Sequence, residues 1–109
     1  MKMVVAIVQD DDALDLLDAL TEKGFRVTKL ATTGGFLKSG NTTLIIGVEK
    51  EKTTEVIDII NDICRKRKET IASPSPIGND PTIYVNYPID VEVGGATVFV
   101  IDVDQFIRI

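Results

Sequence analysis

Histidine and tryptophan are absent from this sequence, and cysteine occurs once. The lack of histidine removes the commonest general base, metal ligand and physiological pH switch together. With Cys64 as the lone thiol, no intrachain disulfide can form, which predicts a reducing compartment and makes the cytoplasm the default location. Aromatic residues make up only 6% of the chain, too few for a stacking platform that tracks single-stranded nucleic acid. A net charge of -5 likewise disfavours DNA or RNA as a partner. Any anionic ligand has to be held locally, by backbone amides and a few placed cations. Long apolar runs are missing too. The run from Met3 to Val8 is too short for a signal peptide or a membrane span, and acids follow it at once.

What is present suits one globular domain spanning residues 1–109, large enough for a single modest core. "MVVAIV" (Met3 to Val8) reads as a strand apolar on both faces and therefore buried on both. "DDDALDLLDALTEKG" places Ala13, Leu16, Leu17 and Leu20 at helical spacing, with acids in the first turn and Gly24 as the stop. "FRVTKLATTGG" alternates as a strand, Phe25 and Val27 against Arg26, Thr28 and Leu30. "NTTLIIGVE" is the next strand, with Leu44, Ile46 and Val48 on one side and Thr43, Ile45 and Gly47 on the other. A second amphipathic helix is expected from Thr53 to Arg67, its stripe made of Val56, Ile59, Ile60 and Ile63 and its end made basic by "RKRK". All four prolines fall between Glu69 and Pro88, which reads as one long loop before "IDVEVGGATVFVIDV" returns to strand.

That order, strand, helix, strand, strand, helix, strand, is the α+β ferredoxin-like βαββαβ plan: a four-stranded antiparallel sheet with both helices on one face. The other face would then expose apolar side chains from Val4 or Val5, Ile45, Phe99 and Ile101, and another subunit is expected to cover them.

Candidate chemistry is sparse. Asp10, Asp11 and Asp12 after the first strand have the look of a phosphoacceptor pocket. Such a pocket needs an aspartate at the end of a later strand and a distal lysine after another, and "LIIGVEKE" offers a glutamate followed by helix, so the three aspartates read as an N-cap and first-turn acids. Cys64 sits beside an apolar stripe with nothing to activate it and reads as packing. Serines and threonines lack a base at recognisable spacing, and the acids are scattered along helices, so neither a nucleophile nor a metal site can be assembled. "TTGGFLKSGN" lacks the spacing of a phosphate-binding loop and leads into a strand. By elimination the chain reads as a binding module, and no enzymatic activity is expected.

The glycine-rich hairpin from Lys29 to Gly47 is where binding could occur. Centred between Leu37 and Lys38, it would set Thr28 opposite Gly47 and Gly34 opposite Asn41. Arg26, Thr28 and Gly47 would share the uncovered face, where a glycine in mid-strand suggests close approach of another group. Gly34 and Gly35 could aim amides at an anion, Phe36 could stack on a base, and Asn41 could add a donor and an acceptor. Each feature has a plainer reading as well: glycines make turns, Phe36 could pack between subunits, Arg26 could be a solvated charge, and Gly47 could mark a bulge.

"FRVTKLATTGGFLKSGNTTLIIGVE" and "VEVGGATVFVIDVDQF", together with the opening "VVAIVQD", closely resemble the PII-like cyclic di-AMP receptor proteins of Gram-positive bacteria, within the PII signal-transduction superfamily. The resemblance runs essentially the whole length. It implies a homotrimer that binds cyclic di-AMP in the clefts between subunits, with no cofactor and no metal. By residue match, Arg26, Thr28, Gly35, Phe36, Leu37, Asn41 and Gly47 would line the ligand site, joined by Phe99. Residues 34–42 would be a short T-loop and residues 69–88 a long B-loop, both reorganised by the ligand to regulate an unidentified partner protein. With no tyrosine in that short T-loop, uridylylation is not expected there. A constitutive trimeric adaptor, or a PII-like protein taking another adenine nucleotide, is the alternative.

Overall fold

The computed structural model describes residues 1–30, 40–76 and 84–109, and for 72–76 and 84–87 the backbone alone. Strand β1 (Lys2–Gln9) runs directly into helix α1 (Asp10–Glu22), followed by β2 (Arg26–Leu30) and β3 (Asn41–Val48). A short 3-10 turn (Lys50–Lys52) leads into α2 (Thr53–Cys64), and then come β4 (Arg67–Pro76), β5 (Tyr84–Val93) and β6 (Ala96–Asp102). The four core strands form one antiparallel sheet in the order β2-β3-β1-β6, and β4 with β5 forms a separate two-stranded ribbon. The expected α+β sandwich is therefore present, with an added element.

Alternation along the strands explains the core. Val4, Ala6 and Val8 of β1 and Leu44, Ile46 and Val48 of β3 are buried on one face, against Leu16 and Leu20 of α1 and Val56, Ile60 and Cys64 of α2. The alternate residues of the same strands point the other way. Phe25, Val27 and Ile59 close the edges of the core. α1 ends where its glycine demands: Gly24 has φ +88°, and Phe25 N–H donates to the Leu20 carbonyl at 3.0 Å.

Four expectations are corrected. First, the stretch from Glu69 to Pro88 is not one loop. Its flanks pair from Arg67↔Val93 out to Pro76↔Tyr84. The prolines misled because they argue against a central strand. In a two-stranded ribbon both strands are edges, and three of the four prolines occupy alternate rungs (Ala72↔Pro88, Pro74↔Asn86, Pro76↔Tyr84), while Pro81 lies outside the described residues. The rungs between them keep their N–H groups for the ladder.

Second, "IDVEVGGATVFVIDV" is two strands, broken at Gly94 (φ +86°) and Gly95 (φ +93°). A Cβ on Gly94 would collide with the Arg65 carbonyl and stand 2.7 Å from Arg67 Nη1, so only glycine fits. Third, α2 stops at Cys64. Arg65 turns extended and Arg67 opens β4, so the basic run leaves the helix instead of capping it. Fourth, the residue at the N-cap position of α1 is Gln9, and the three aspartates all lie in the first turn.

Candidate ligand site

β2 is the edge strand next to β3, and its register differs from the sequence expectation by two residues. Arg26 pairs with Gly47, and Thr28 pairs with Ile45. A two-residue shift preserves the face, because side chains alternate with period two. Across the sheet the uncovered face is built in rows: Arg26, Gly47, Met3 and Ile101; then Thr28, Ile45, Val5 and Phe99. The proposed partner for Asn41, Gly34, lies outside the described residues; Asn41 pairs with Gln9 of β1.

Three of the expected site residues meet in one groove. Arg26, Thr28 and Gly47 line a hollow of about 770 Å³ at the end of this face, within the ordinary range for small-molecule sites, roughly 300 to 1,000 Å³. Met3, Phe25 and Ile45 supply its apolar floor. The charges along it are Arg26, Lys52 and Arg108 against Glu49, three cations to one carboxylate. In a chain of net charge -5, that is a local reversal of sign.

Gly47 decides between two earlier readings. Pairing of β3 with β1 is continuous from Lys2↔Val48 to Gln9↔Asn41, so no bulge interrupts it. A Cβ added to Gly47 would meet nothing within 4 Å. Nothing described within this chain requires a glycine there.

The remaining residues are placed differently. Asn41 is exposed on the same face but six residues along β3 from Gly47, about 20 Å at the usual strand rise. Phe99 is 52% exposed and three strands from Thr28 in its row, about 14 Å at the usual strand spacing. It does not line the groove of its own chain. Gly35, Phe36 and Leu37 lie outside the described residues.

The sequence reading missed the tail after β6. Val103 N–H donates to the Met1 carbonyl at 3.2 Å, one rung beyond Lys2↔Asp102, and past it Gln105, Phe106 and Arg108 line the groove. An aromatic ring between an amide and a cation was the only signal, and without periodicity it carried no direction. Lys52, at the foot of α2, joined the site only through folding.

Among the described residues, no group of three or more Asp, Glu, Cys or His side chains could hold a metal ion. No helix there is long and apolar enough to cross a membrane. Cys64 is 1% exposed, and burial, helped by nearby Asp12 and opposed by Arg67, pushes its thiol up to about 11. It is packing, as its sequence context suggested.

Comparison with known proteins fits this geometry. The fold matches the crystal structure of a functionally unknown protein from Pediococcus pentosaceus ATCC 25745 with a TM-score of 0.77 and 49% identity, covering 99% of this chain and 96% of that one. Residues 1–109 match the family described as "Cyclic-di-AMP receptor", and the chain belongs to that family.

Proposed function

We propose that this protein is a cyclic di-AMP-binding signal-transduction protein that works as a homotrimer, with each ligand held where the uncovered sheet faces of neighbours meet. The observation that carries the reading is the groove: Arg26, Thr28 and Gly47 line it together with an excess of positive charge, in a chain that belongs to the cyclic-di-AMP receptor family. The chemistry is complementary. A cyclic dinucleotide presents two phosphodiester charges, suited to Arg26, Lys52 and Arg108, and two flat bases. One base lies against the open backbone at Gly47, where its edge meets Thr28, and the glycine leaves room for that approach.

Phe99 supports the trimer. It belongs to the matched set yet stands three strands from its own groove, so it serves the site of an adjacent copy. The exposed Phe99 and Ile101, with Val5 between them and the groove, supply an apolar surface for that contact. Asn41, Gly35, Phe36 and Leu37 complete the ligand shell from the T-loop side. Ligand closure there, and the response of the β4–β5 ribbon, constitute the signal to a partner protein. The role is binding, not catalysis.

Calorimetry with cyclic di-AMP, cyclic di-GMP and ATP tests this. Saturable binding selective for cyclic di-AMP, at one ligand per chain, is expected. Absent binding sinks the reading and leaves a constitutive adaptor, and equal binding of all three nucleotides sinks it in favour of an unselective nucleotide binder. Phe36→Ala should weaken binding by about 1 to 3 kcal/mol, the usual worth of an aromatic stacked on a base.

A further inference from the structure

The first turn of α1 does something that ligand binding does not explain. Four consecutive residues, Gln9 to Asp12, contain three side chains that each hold a different part of the chain. Gln9 Oε1 accepts from the Gly94 N–H at 2.7 Å, at the turn between β5 and β6. Asp10 accepts from Thr42 Oγ1 at 2.5 Å and from the Gly40 N–H at 3.2 Å, while its own N–H donates to the Gly40 carbonyl at 2.8 Å. Asp12 takes a forked grip from Arg67, with Nη2 to Oδ1 at 2.7 Å and Nη1 to Oδ2 at 3.3 Å.

Asp12 is the informative member. It is 4% exposed, and a buried carboxylate is unfavourable unless paired and hydrogen-bonded. Its partner is 55 residues away and opens the β4–β5 ribbon. The same guanidinium donates to the Arg65 carbonyl at 3.1 Å, and Gly95 N–H donates to the Cys64 carbonyl, so the base of the ribbon is closed on both sides. A planar, bidentate donor resists rotation in a way that a lysine would not.

We infer that the N-terminus of α1, its first turn together with the N-cap residue Gln9, is a mechanical junction that couples the base of the β4–β5 ribbon, through Asp12 and Gln9, to the start of β3, through Asp10. The turn is one rigid body, anchored by Ala13 and Leu16 in the core. A displacement at Gly40 and Thr42 is carried by the helix to Arg67 and Gly94, and the reverse holds equally, because coupling free energies are reciprocal. This inference does not depend on which ligand the protein binds.

Reciprocity supplies the test, by amide hydrogen exchange on the full chain without ligand. Asp10→Asn should speed exchange several-fold in β4 and β5 near Arg67 and Val93, as well as at Asn41 to Thr43. Asp12→Asn should speed exchange at Asn41 to Thr43, as well as in the ribbon. Arg67→Lys, which keeps the charge and loses the fork, should reproduce the Asp12→Asn pattern at smaller amplitude. Asp18→Asn, an exposed change on the same helix, should do neither. Effects confined to the side that was mutated overturn the junction. So does a uniform rise that includes the Val4 and Ile46 amides, because that reports global loosening.

Discussion

The two faces of the sheet are made by the same strands, and β1 is apolar on both, yet the faces meet different fates. On one, Val4, Ala6, Leu44 and Ile46 are all 0% exposed beneath two helices. On the other, Val5 and Ile45 stay half-buried while Phe99 and Ile101 are 52% and 44% exposed. The first face holds the fold together, and the second leaves apolar side chains open. A strand apolar on both sides therefore carries two separate instructions, and only one of them is used within this chain.

Substitutions that act on one face and spare the other sharpen this contrast. The largest expected effect is on the closed face: Ile46→Ala should cost about 2 to 5 kcal/mol of folding stability, as large-to-small core changes do. Denaturant unfolding measures it, and a cost below about 1 kcal/mol would show that the surroundings collapse into the space. Phe99→Asp, on the open face, should leave the secondary structure and the core intact while shifting sedimentation from the proposed trimer toward monomer. Unchanged assembly would break the assignment of this face to subunit contact.

Gly47→Val is the finest separation of fold from function. A β-branched residue suits a strand by up to about 1 kcal/mol over glycine, and its Cβ meets nothing in this chain. The melting temperature should hold or rise. Cyclic di-AMP affinity should nonetheless fall by about tenfold or more, the equivalent of about 1.4 kcal/mol. Retained affinity would remove Gly47 from the ligand floor.

The smallest effect concerns Cys64, on the closed face. Its folded value of about 11 lies above the ordinary thiol value of 9.0. The protonated thiol therefore favours the folded state fully below that ordinary value, and this contribution is lost as pH rises toward 11. Alkylation at pH 8 should be negligible in the native protein and rapid after denaturation. Fast native labelling would mean that α2 opens locally.

Legibility in the sequence followed periodicity. Leu44, Ile46 and Val48 announced their buried face by alternation, and Leu16, Leu20, Val56 and Ile60 announced theirs by helical spacing. Arg26, Thr28 and Gly47 were legible as sharing a face because a register error of two residues leaves facing unchanged. The ribbon was not legible, because proline signals a loop unless both strands are edges, and edge status is a property of the assembled sheet. The Arg67–Asp12 pair was hidden for a related reason: both residues sat in runs of like charge that read as solvated or helix-terminal. Gln105, Phe106 and Arg108 lie in a tail with no period at all, so nothing local pointed them at the groove.

The sequence by itself determined the two helices, the four core strands and the division of each strand into a closed and an open face. These rest on local periodicity, which backbone geometry translates directly into facing. Tertiary structure alone decided the register of β2 on β3, the ribbon and its ion-paired base, and the return of the tail across the groove. Each of these joins residues far apart in the chain, and their pairing is selected by burial and charge compensation that no short window of residues contains.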